Sequence, residues 1–290
     1  MAWTTGDRMM DLRAKHPAIE VGVDTLDGWR RHISGRNASV LAFFGFLSIF
    51  PLMLAATTIL GLVLKNNQEL QQRIIDGALN DIPVLGAELK ADPASLNGSV
   101  WVLILGLGAA LWSATQAFVA LQVGLDDVWE VEVDHRDAMP KQRSKALLGL
   151  VLIGGAQIAG LAMSTIVNQA DLPLGSRVLL TIGNAVINVA VVAVMFRYLT
   201  AATPTWRDVR PGAVTAGIAA TLLQQLGTRI VVQISSNASD TYGQFALVLG
   251  IVTWLSLLAI ATIMSAELTA ALIRRRDGSL AHVQPADAQT

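Results

Sequence analysis

The chain has 290 residues, of which 53% are hydrophobic and only 15% are charged. A soluble domain carries roughly a quarter charged residues, so the shortfall indicates a second, apolar solvent. The net charge of -1 shows no excess of Lys and Arg for binding nucleic acid, and the absence of cysteine excludes disulfides and thiolate metal sites.

Residues 1–37 are polar and carry charges of both signs, which is not the pattern of a cleavable signal peptide. We therefore expect a cytoplasmic segment. Within it, apolar residues recur at helical spacing, and Trp29 suits the headgroup region of a membrane. This pattern predicts an interfacial helix with the apolar stripe Ile19, Val23, Leu26 and Ile33.

Six apolar segments follow, and each is long enough to cross about 30 Å of hydrocarbon as a helix. We predict an all-α, polytopic integral membrane protein with one membrane domain over residues 38–274 and a polar tail over residues 275–290. The predicted spans are residues 39–64, 98–122, 146–167, 178–199, 212–234 and 244–273.

The distribution of Lys and Arg predicts the orientation of these spans. Of the 21 basic residues, 16 lie in the two termini and in the loops after the second and fourth spans, whereas four lie in the loops on the opposite side. Basic loops stay in the cytoplasm. Both termini are therefore predicted to be cytoplasmic, which requires an even number of spans.

Residues 66–90, on the predicted outer side, carry an amphipathic helical stripe from Leu70 to Leu85. Two interpretations stay open: a helix that caps the bundle, or a lid that lies in the outer leaflet and contacts lipid. Further along, residues 125–145 begin acidic and end basic. We interpret them as a solvated cytoplasmic loop, whose basic end is also attracted to anionic lipid.

Polar side chains within spans are costly in hydrocarbon and usually face protein or water. The clearest are Arg229 in the fifth span and Glu267 in the sixth. Glu267 is either paired with a basic residue, such as Arg197 or a tail arginine, or it serves a pathway or proton-coupling role. Arg229 either reaches the outer headgroups or anchors an anionic headgroup through its guanidinium.

A band of amides accompanies these charges, with Asn184 and Asn188 one turn apart on the same helix face. Interhelical hydrogen bonding and the lining of a polar cavity are the alternatives. Pro51 can kink the first span, as a crevice wall or as a static bend. The candidate substrate-binding residues are Arg229, Glu267, Asn184, Asn188, Gln116, Gln157, Gln225 and Pro51.

No catalytic residue, metal site or cofactor is predicted, and we do not expect an enzyme. The sequence has no phosphate-binding loop and no nucleophile elbow. Its histidines are scattered over predicted termini and loops without a metal-ligand spacing. They are His16, His32, His135 and His282.

Several segments together resemble the YihY/BrkB family of bacterial inner-membrane proteins. The first is AFFGFLSIFPL at residues 42–52, in the first span, where Phe44 stands at a position that is usually Tyr. Near Trp254 the family's second aromatic residue is replaced by Ser256. The further matches are LWSAT at 111–115, LDDVW at 125–129, PGA at 211–213, YG at 242–243 and SAEL at 265–268.

This resemblance implies a six-helix protein of the bacterial cytoplasmic membrane that is connected with envelope integrity and, in some members, with virulence, serum resistance or export of lipid precursors. Some members have been labelled ribonucleases that process transfer RNA. The present sequence offers no metal cluster and no basic domain for that reaction, so we reject the label for this chain.

The leading functional hypothesis is a protein that binds or translocates an anionic lipid or envelope glycolipid, with membrane lipids as its partners. One alternative is a proton- or ion-coupled transporter of a small solute that uses Glu267. The other is a scaffold that recruits envelope proteins and transports nothing. Self-association into a homo-oligomer stays open.

Overall fold

The computed structural model describes residues 13, 15–64, 100–169, 174–242 and 245–276. No strand occurs in this part of the chain, which confirms the predicted all-α class. In chain order the elements are α1 (Pro17–Arg31), α2 (Ser34–Leu64), α3 (Val100–Val128), a 3₁₀ turn (Val133–His135), α4 (Met139–Gln169), α5 (Leu174–Tyr198), α6 (Trp206–Tyr242) and α7 (Phe245–Arg276).

Each of the six predicted spans falls on one of the helices α2 to α7, in order. Within the described residues, Ile104–Val128 and Val248–Arg276 are long and apolar enough to cross a membrane, and Ile182–Tyr198 is a shorter apolar helix. The number of spans therefore stays a prediction. The outer segment 66–90 and the tail beyond residue 276 lie outside the described residues.

The chain divides into two compact units. The larger unit comprises residues 1–43 and 117–290, and the smaller unit comprises residues 44–116. In the larger unit, apolar side chains from α2 through α7 form one buried core. Its fully buried members include Leu125, Val128, Phe196, Leu199, Val209 and Ile263.

Glycines let α6 approach its neighbours closely. A Cβ on Gly212 would overlap the Thr269 side chain and the Ser265 carbonyl of α7, and a Cβ on Gly217 would overlap the Val189 backbone of α5. Small residues at helix interfaces permit such approach in membranes. Gly217 therefore serves the packing of α6 against α5.

The predicted N-terminal helix is present as α1, which packs against the C-terminal end of α7. Its buried face carries Val21, Val23, Asp24, Thr25 and Gly28. Of the predicted apolar stripe, only Val23 is buried, whereas Ile19, Leu26 and Ile33 are exposed.

Candidate functional site

Glu267 is fully buried at 0% exposure, although it lies in an apolar helix. The Ser34 hydroxyl, at the start of α2, donates to Glu267 Oε1 at 2.5 Å. His32 Nδ1, in the turn between α1 and α2, lies 2.9 Å from Oε1 and 3.2 Å from Oε2. A buried carboxylate needs such partners because burial without them is very costly. The segment before the first predicted span therefore supplies both groups that satisfy Glu267.

The second ring nitrogen of His32 faces the surface. His32 Nε2 lies 3.3 Å from Oε1 of Glu130, which follows the end of α3 and is 56% exposed at its side chain. Arg31 lies 3.2 Å from the same oxygen. We name Glu267, His32, Ser34 and Glu130 the carboxylate cluster.

Ion pairs attach α1 to the last turns of α7. Arg274 donates through Nε and Nη2 to Asp24 Oδ2 at 3.0 and 2.8 Å. Arg275 lies 3.5 Å from Glu20. The arginines lie in the last turn of α7 and Glu20 lies in the first turn of α1, where cations and acidic residues, respectively, are favourable.

A second polar group, the amide cluster, joins α5 to α6. Asn188 Nδ2 donates to Thr221 Oγ1 at 3.0 Å and to Gln224 Oε1 at 3.2 Å, and Asn184 Nδ2 donates to the same Gln224 oxygen at 3.2 Å. Thr221 is buried, and the three amides are half-buried. The structure thus brings Asn184 and Asn188 together through α6.

The amide cluster lies on the helix faces opposite to the exposed apolar residues. Two positions along a helix rotate a side chain by about 200°. Asn184 follows the exposed Ile182 by two positions, and Gln224 follows the exposed Leu222 by two. The amides are therefore directed away from the exposed apolar face, and each of them is half-buried.

The two clusters lie at different heights. Gly212 of α6 packs against Ser265 and Thr269, which lie two residues to either side of Glu267. Thr221 comes nine residues later in α6, about 14 Å further along the helix. The two clusters therefore do not form one site.

The turn between α5 and α6 forms a basic corner. The guanidinium of Arg197 lies 4.9 Å from the ring centre of Trp206 and 5.6 Å from that of Tyr198, and its Nη1 donates to the Pro204 carbonyl at 2.6 Å. Arg207 and Arg210, at the start of α6, are exposed. We define the basic corner as Arg197, Tyr198, Trp206, Arg207 and Arg210.

From this corner an apolar stripe runs along the exposed face of α6. Its residues recur every four positions, so they lie on one side of the helix. They keep roughly half of their surface exposed. The stripe consists of Val214 (43%), Ile218 (47%), Leu222 (53%) and Leu226 (44%).

The interpretation of residues 125–145 as a solvated loop is wrong at its acidic start, where the chain is still helical. Asp126 is buried and accepts hydrogen bonds from the Thr200 hydroxyl at 2.7 Å and the Ala201 amide at 2.8 Å. Asp127 binds Arg136 at 2.7 Å and Asn37 at 2.8 Å. These carboxylates stabilise turns and helix ends.

Two carboxyl groups outside the predicted spans have altered acidity. Burial alone would raise the pKa of Asp137, but hydrogen bonds and charge from Lys141 and Lys145 outweigh it and lower the pKa. Burial would likewise raise the pKa of Asp208, but the Thr205 hydroxyl and amide, together with Arg276, lower it overall. Both groups are held as carboxylates in the folded chain.

The other predicted site residues fall in different places. Gln116 is half-buried in α3 and belongs to the smaller unit. Arg197, a predicted partner of Glu267, binds Pro204 and Trp206 as described above. The side chains of Pro51, Gln157, Gln225 and Arg229 lie outside the described part of the structure.

Sequence reasoning missed His32 and Ser34 as partners of Glu267. They are 235 and 233 residues away from it in the chain, and a lone histidine in a polar segment carries no helix periodicity. The signal that could have identified them is local. A break at His32 and Ile33 between two helical patterns places His32 and Ser34 at the N-terminal end of α2.

Within the described residues, no three His, Asp or Glu side chains are grouped so as to hold a metal ion.

The family model described as "Virulence factor BrkB" matches residues 25–290. The chain is 26% identical over 259 residues to a Bacillus subtilis (strain 168) protein named "Putative ribonuclease-like protein YfkH", which covers 84% of this chain and 92% of that protein. No solved structure matches the chain.

Proposed function

This chain belongs to the virulence factor BrkB family of membrane proteins, and on that premise we propose that it binds an anionic lipid or envelope glycolipid and passes its headgroup across the bacterial cytoplasmic membrane. The observation that carries the proposal is the basic corner at the foot of the exposed apolar stripe on α6. Two exposed guanidinium groups suit a phosphate, and the stripe suits acyl chains.

The dimensions of the stripe support this assignment. Val214 and Leu226 are twelve residues apart, which is about 18 Å along a helix. One leaflet of the hydrocarbon core is roughly 15 Å thick. A lipid whose phosphate contacts Arg207 and Arg210 would therefore lay its acyl chain along the stripe, with Trp206 at the interface, where tryptophan is enriched.

The amide cluster supplies a polar contact for the headgroup further along α6, on the face opposite to the apolar stripe. Its amide side chains are neutral and half-buried. A headgroup that leaves the basic corner would meet hydrogen-bonding groups and would avoid pure hydrocarbon. The amides would serve as an intermediate polar contact, without the strong charge that would trap an anion.

The proposal includes six spans with both termini in the cytoplasm. Because the chain has no cysteine, single cysteines can report its topology without background. Ser279→Cys in the tail and Ser95→Cys in the predicted outer loop form a matched pair. In intact spheroplasts, an impermeant maleimide should label only Ser95→Cys. Labelling of both positions to the same extent would contradict the topology.

Lipid binding and movement can be tested with the purified chain. Retention of phosphatidylglycerol in detergent should exceed that of phosphatidylcholine, and a fluorescent phosphatidylglycerol should change leaflet faster in proteoliposomes than in empty liposomes. The double change Arg207→Gln and Arg210→Gln should reduce retention roughly thirtyfold, because about 1 kcal/mol is lost for each of the two basic residues. The charge-preserving control, with Lys at both positions, should retain most of it. Equal behaviour of all forms would remove the proposal.

A second candidate function is proton-coupled transport of a small solute, which the complete burial of Glu267 favours. Here Glu267→Gln should abolish the dependence of transport on a proton gradient while the chain still folds. Unchanged coupling in this variant would remove the candidate. Neither candidate requires nuclease activity, and we propose that the chain lacks it. Intact transfer RNA after incubation with the purified protein would agree.

A further inference from the structure

We propose that Glu130, His32 and Glu267 form a proton-exchange route between the cytoplasm and the buried carboxylate of α7. The inference deepens the second candidate function, because it names the entry route for the proton. It rests on the proposed cytoplasmic location of α1, and it requires no transported substrate.

The route follows a steep gradient of burial over a short distance. The side chain of Glu130 is 56% exposed, that of His32 is 7% exposed and that of Glu267 is 0% exposed. The two gaps are 3.3 Å from Glu130 Oε1 to His32 Nε2 and 2.9 Å from His32 Nδ1 to Glu267 Oε1. Three groups that can each bind a proton therefore link water to the interior.

The imidazole can pass a proton because its two nitrogens contact different carboxyl groups. The proposed transfer begins from the tautomer of His32 that carries its proton on Nδ1, directed at the Glu267 carboxylate. Glu130, in its acid form, gives a proton to Nε2, and the imidazolium then gives its Nδ1 proton to Glu267. Glu130 is left as a carboxylate that recovers its proton from water. Only O–H and N–H bonds form and break, and the reverse steps release the proton.

The remaining contacts of Glu267 exclude water and hold the carboxyl group in place. Gly28 of α1 packs directly against it, since a Cβ there would lie 2.5 Å from Oε2. The Ser34 hydroxyl donates to Oε1. With α1 covering the carboxyl group, the imidazole of His32 connects Glu267 to Glu130 at the surface.

Charged neighbours keep the outer end of the route in position. Arg31 of α1 lies 3.2 Å from Glu130, and Arg274 of α7 lies 3.8 Å from it. Arg274 also binds Asp24, on the buried face of α1. These cations hold the Glu130 carboxylate beside the imidazole.

Unfavourable backbone conformations occur at this route. Among the described residues, the non-glycine residues with positive φ are Ile33 (52°) and Glu130 (54°). A β-branched residue adopts this conformation rarely. At Ile33 it places the neighbours on both sides, His32 and Ser34, against one carboxyl group. Strain of this kind is concentrated at functional sites.

The test follows the protonation of Glu267 by infrared spectroscopy of the purified chain in lipid nanodiscs after a pH jump. The carboxyl band is assigned by its absence in Glu267→Gln. His32→Gln keeps a polar side chain but cannot pass a proton, and it should slow the exchange by roughly a hundredfold. Glu130→Gln should slow it less, because water can partly replace an exposed group.

A second histidine offers a matched control. His135 is 77% exposed and pairs with Glu132 at 3.3 Å on the surface, so His135→Gln should leave the exchange rate unchanged. A parent-like rate in folded His32→Gln and Glu130→Gln would overturn the proposal. So would an equal slowing by His135→Gln. The infrared band is measured without a transported substrate, so this result does not depend on the outcome of a transport assay.

Discussion

The carboxylate cluster and the amide cluster both place polar side chains between helices, but their partners come from different parts of the chain. Glu267 is fully buried, and His32 and Ser34 reach it from the segment before the first predicted span. Asn184 and Asn188 are half-buried, and Thr221 and Gln224 reach them from the adjacent helix.

The comparison relates the cost of burying a polar group to the partners that the fold supplies for it. An ionisable group in a dry interior requires dedicated partners, and the fold supplies them from the turn after α1 and from the first residue of α2. Neutral amides require only one another, and a helix hairpin provides that with local contacts. We therefore expect the carboxylate cluster to be intolerant of change and the amide cluster to be tolerant.

The largest effect should follow from Glu267→Ala. Removing one member of a buried pair leaves its partners unsatisfied, which we expect to lower the free energy of unfolding by about 3 kcal/mol. Reversible unfolding in mixed micelles measures it. Glu132→Ala removes a carboxylate that is 80% exposed and should have almost no effect. A loss below that of Asn188→Ala would reverse the comparison.

A somewhat smaller loss should follow from Gly212→Ala, at the contact of α6 with α7 beside the carboxylate cluster. The added methyl group overlaps the Ser265 backbone carbonyl, which cannot rotate away, so we expect a loss of about 2 kcal/mol. In Gly154→Ala of α4 the methyl group meets no described atom within 4 Å. If the two variants unfold at the same detergent concentration, α6 and α7 do not approach each other closely at Gly212.

The amide cluster should respond more weakly. Asn188→Ala removes two hydrogen bonds between helices, and such bonds contribute about 0.6 to 1.7 kcal/mol in membranes. The same unfolding titration measures this loss. Thr253→Val is the control, because that hydroxyl is exposed and bonds to its own helix. A loss as large as that of Glu267→Ala would show that the amides, too, form a tightly coupled site.

The smallest effect should be the pH dependence contributed by Asp137, an acidic group in neither cluster. Its pKa is lowered in the folded chain, so it stabilises the fold above its ordinary pKa of about 4. That stability is lost as the pH falls through the lowered value. Asp137→Asn should reduce the loss of unfolding free energy between neutral and acidic pH by less than about 1 kcal/mol, as measured by unfolding over that range. If Asp137→Asn changes this loss no more than the exposed Asp134→Asn does, Asp137 makes no such contribution.

The helices could be predicted from the sequence because each is a long apolar run, and every predicted span falls on one helix. The burial pattern of α1 could not be predicted. Its apolar stripe suggested that Ile19, Leu26 and Ile33 act together with Val23, yet the helix buries the face with Asp24 and Gly28. Ion pairs with α7 determine that orientation, and they lie some 250 residues apart.

In the candidate site, too, some features could be predicted from the sequence and others could not. That Asn184 and Asn188 share a face follows from the helix repeat alone, but their common partner Gln224 required the packing of α5 on α6. Glu267 was recognisable as a costly charge in an apolar helix, whereas its partner His32 resembled any surface histidine. Residues 125–145 looked solvated, yet Asp126 is buried because its carboxylate satisfies the turn at Thr200.

By itself, the sequence determined that this is a helical membrane protein and in which order its helices follow, because hydrophobicity and charge act on each segment separately. Only the tertiary structure decided which polar groups meet, since contacts between distant segments depend on how helices rotate and dock against one another. The burial of Glu267 beneath α1, with His32 as its link to the surface, is a decision of that second kind.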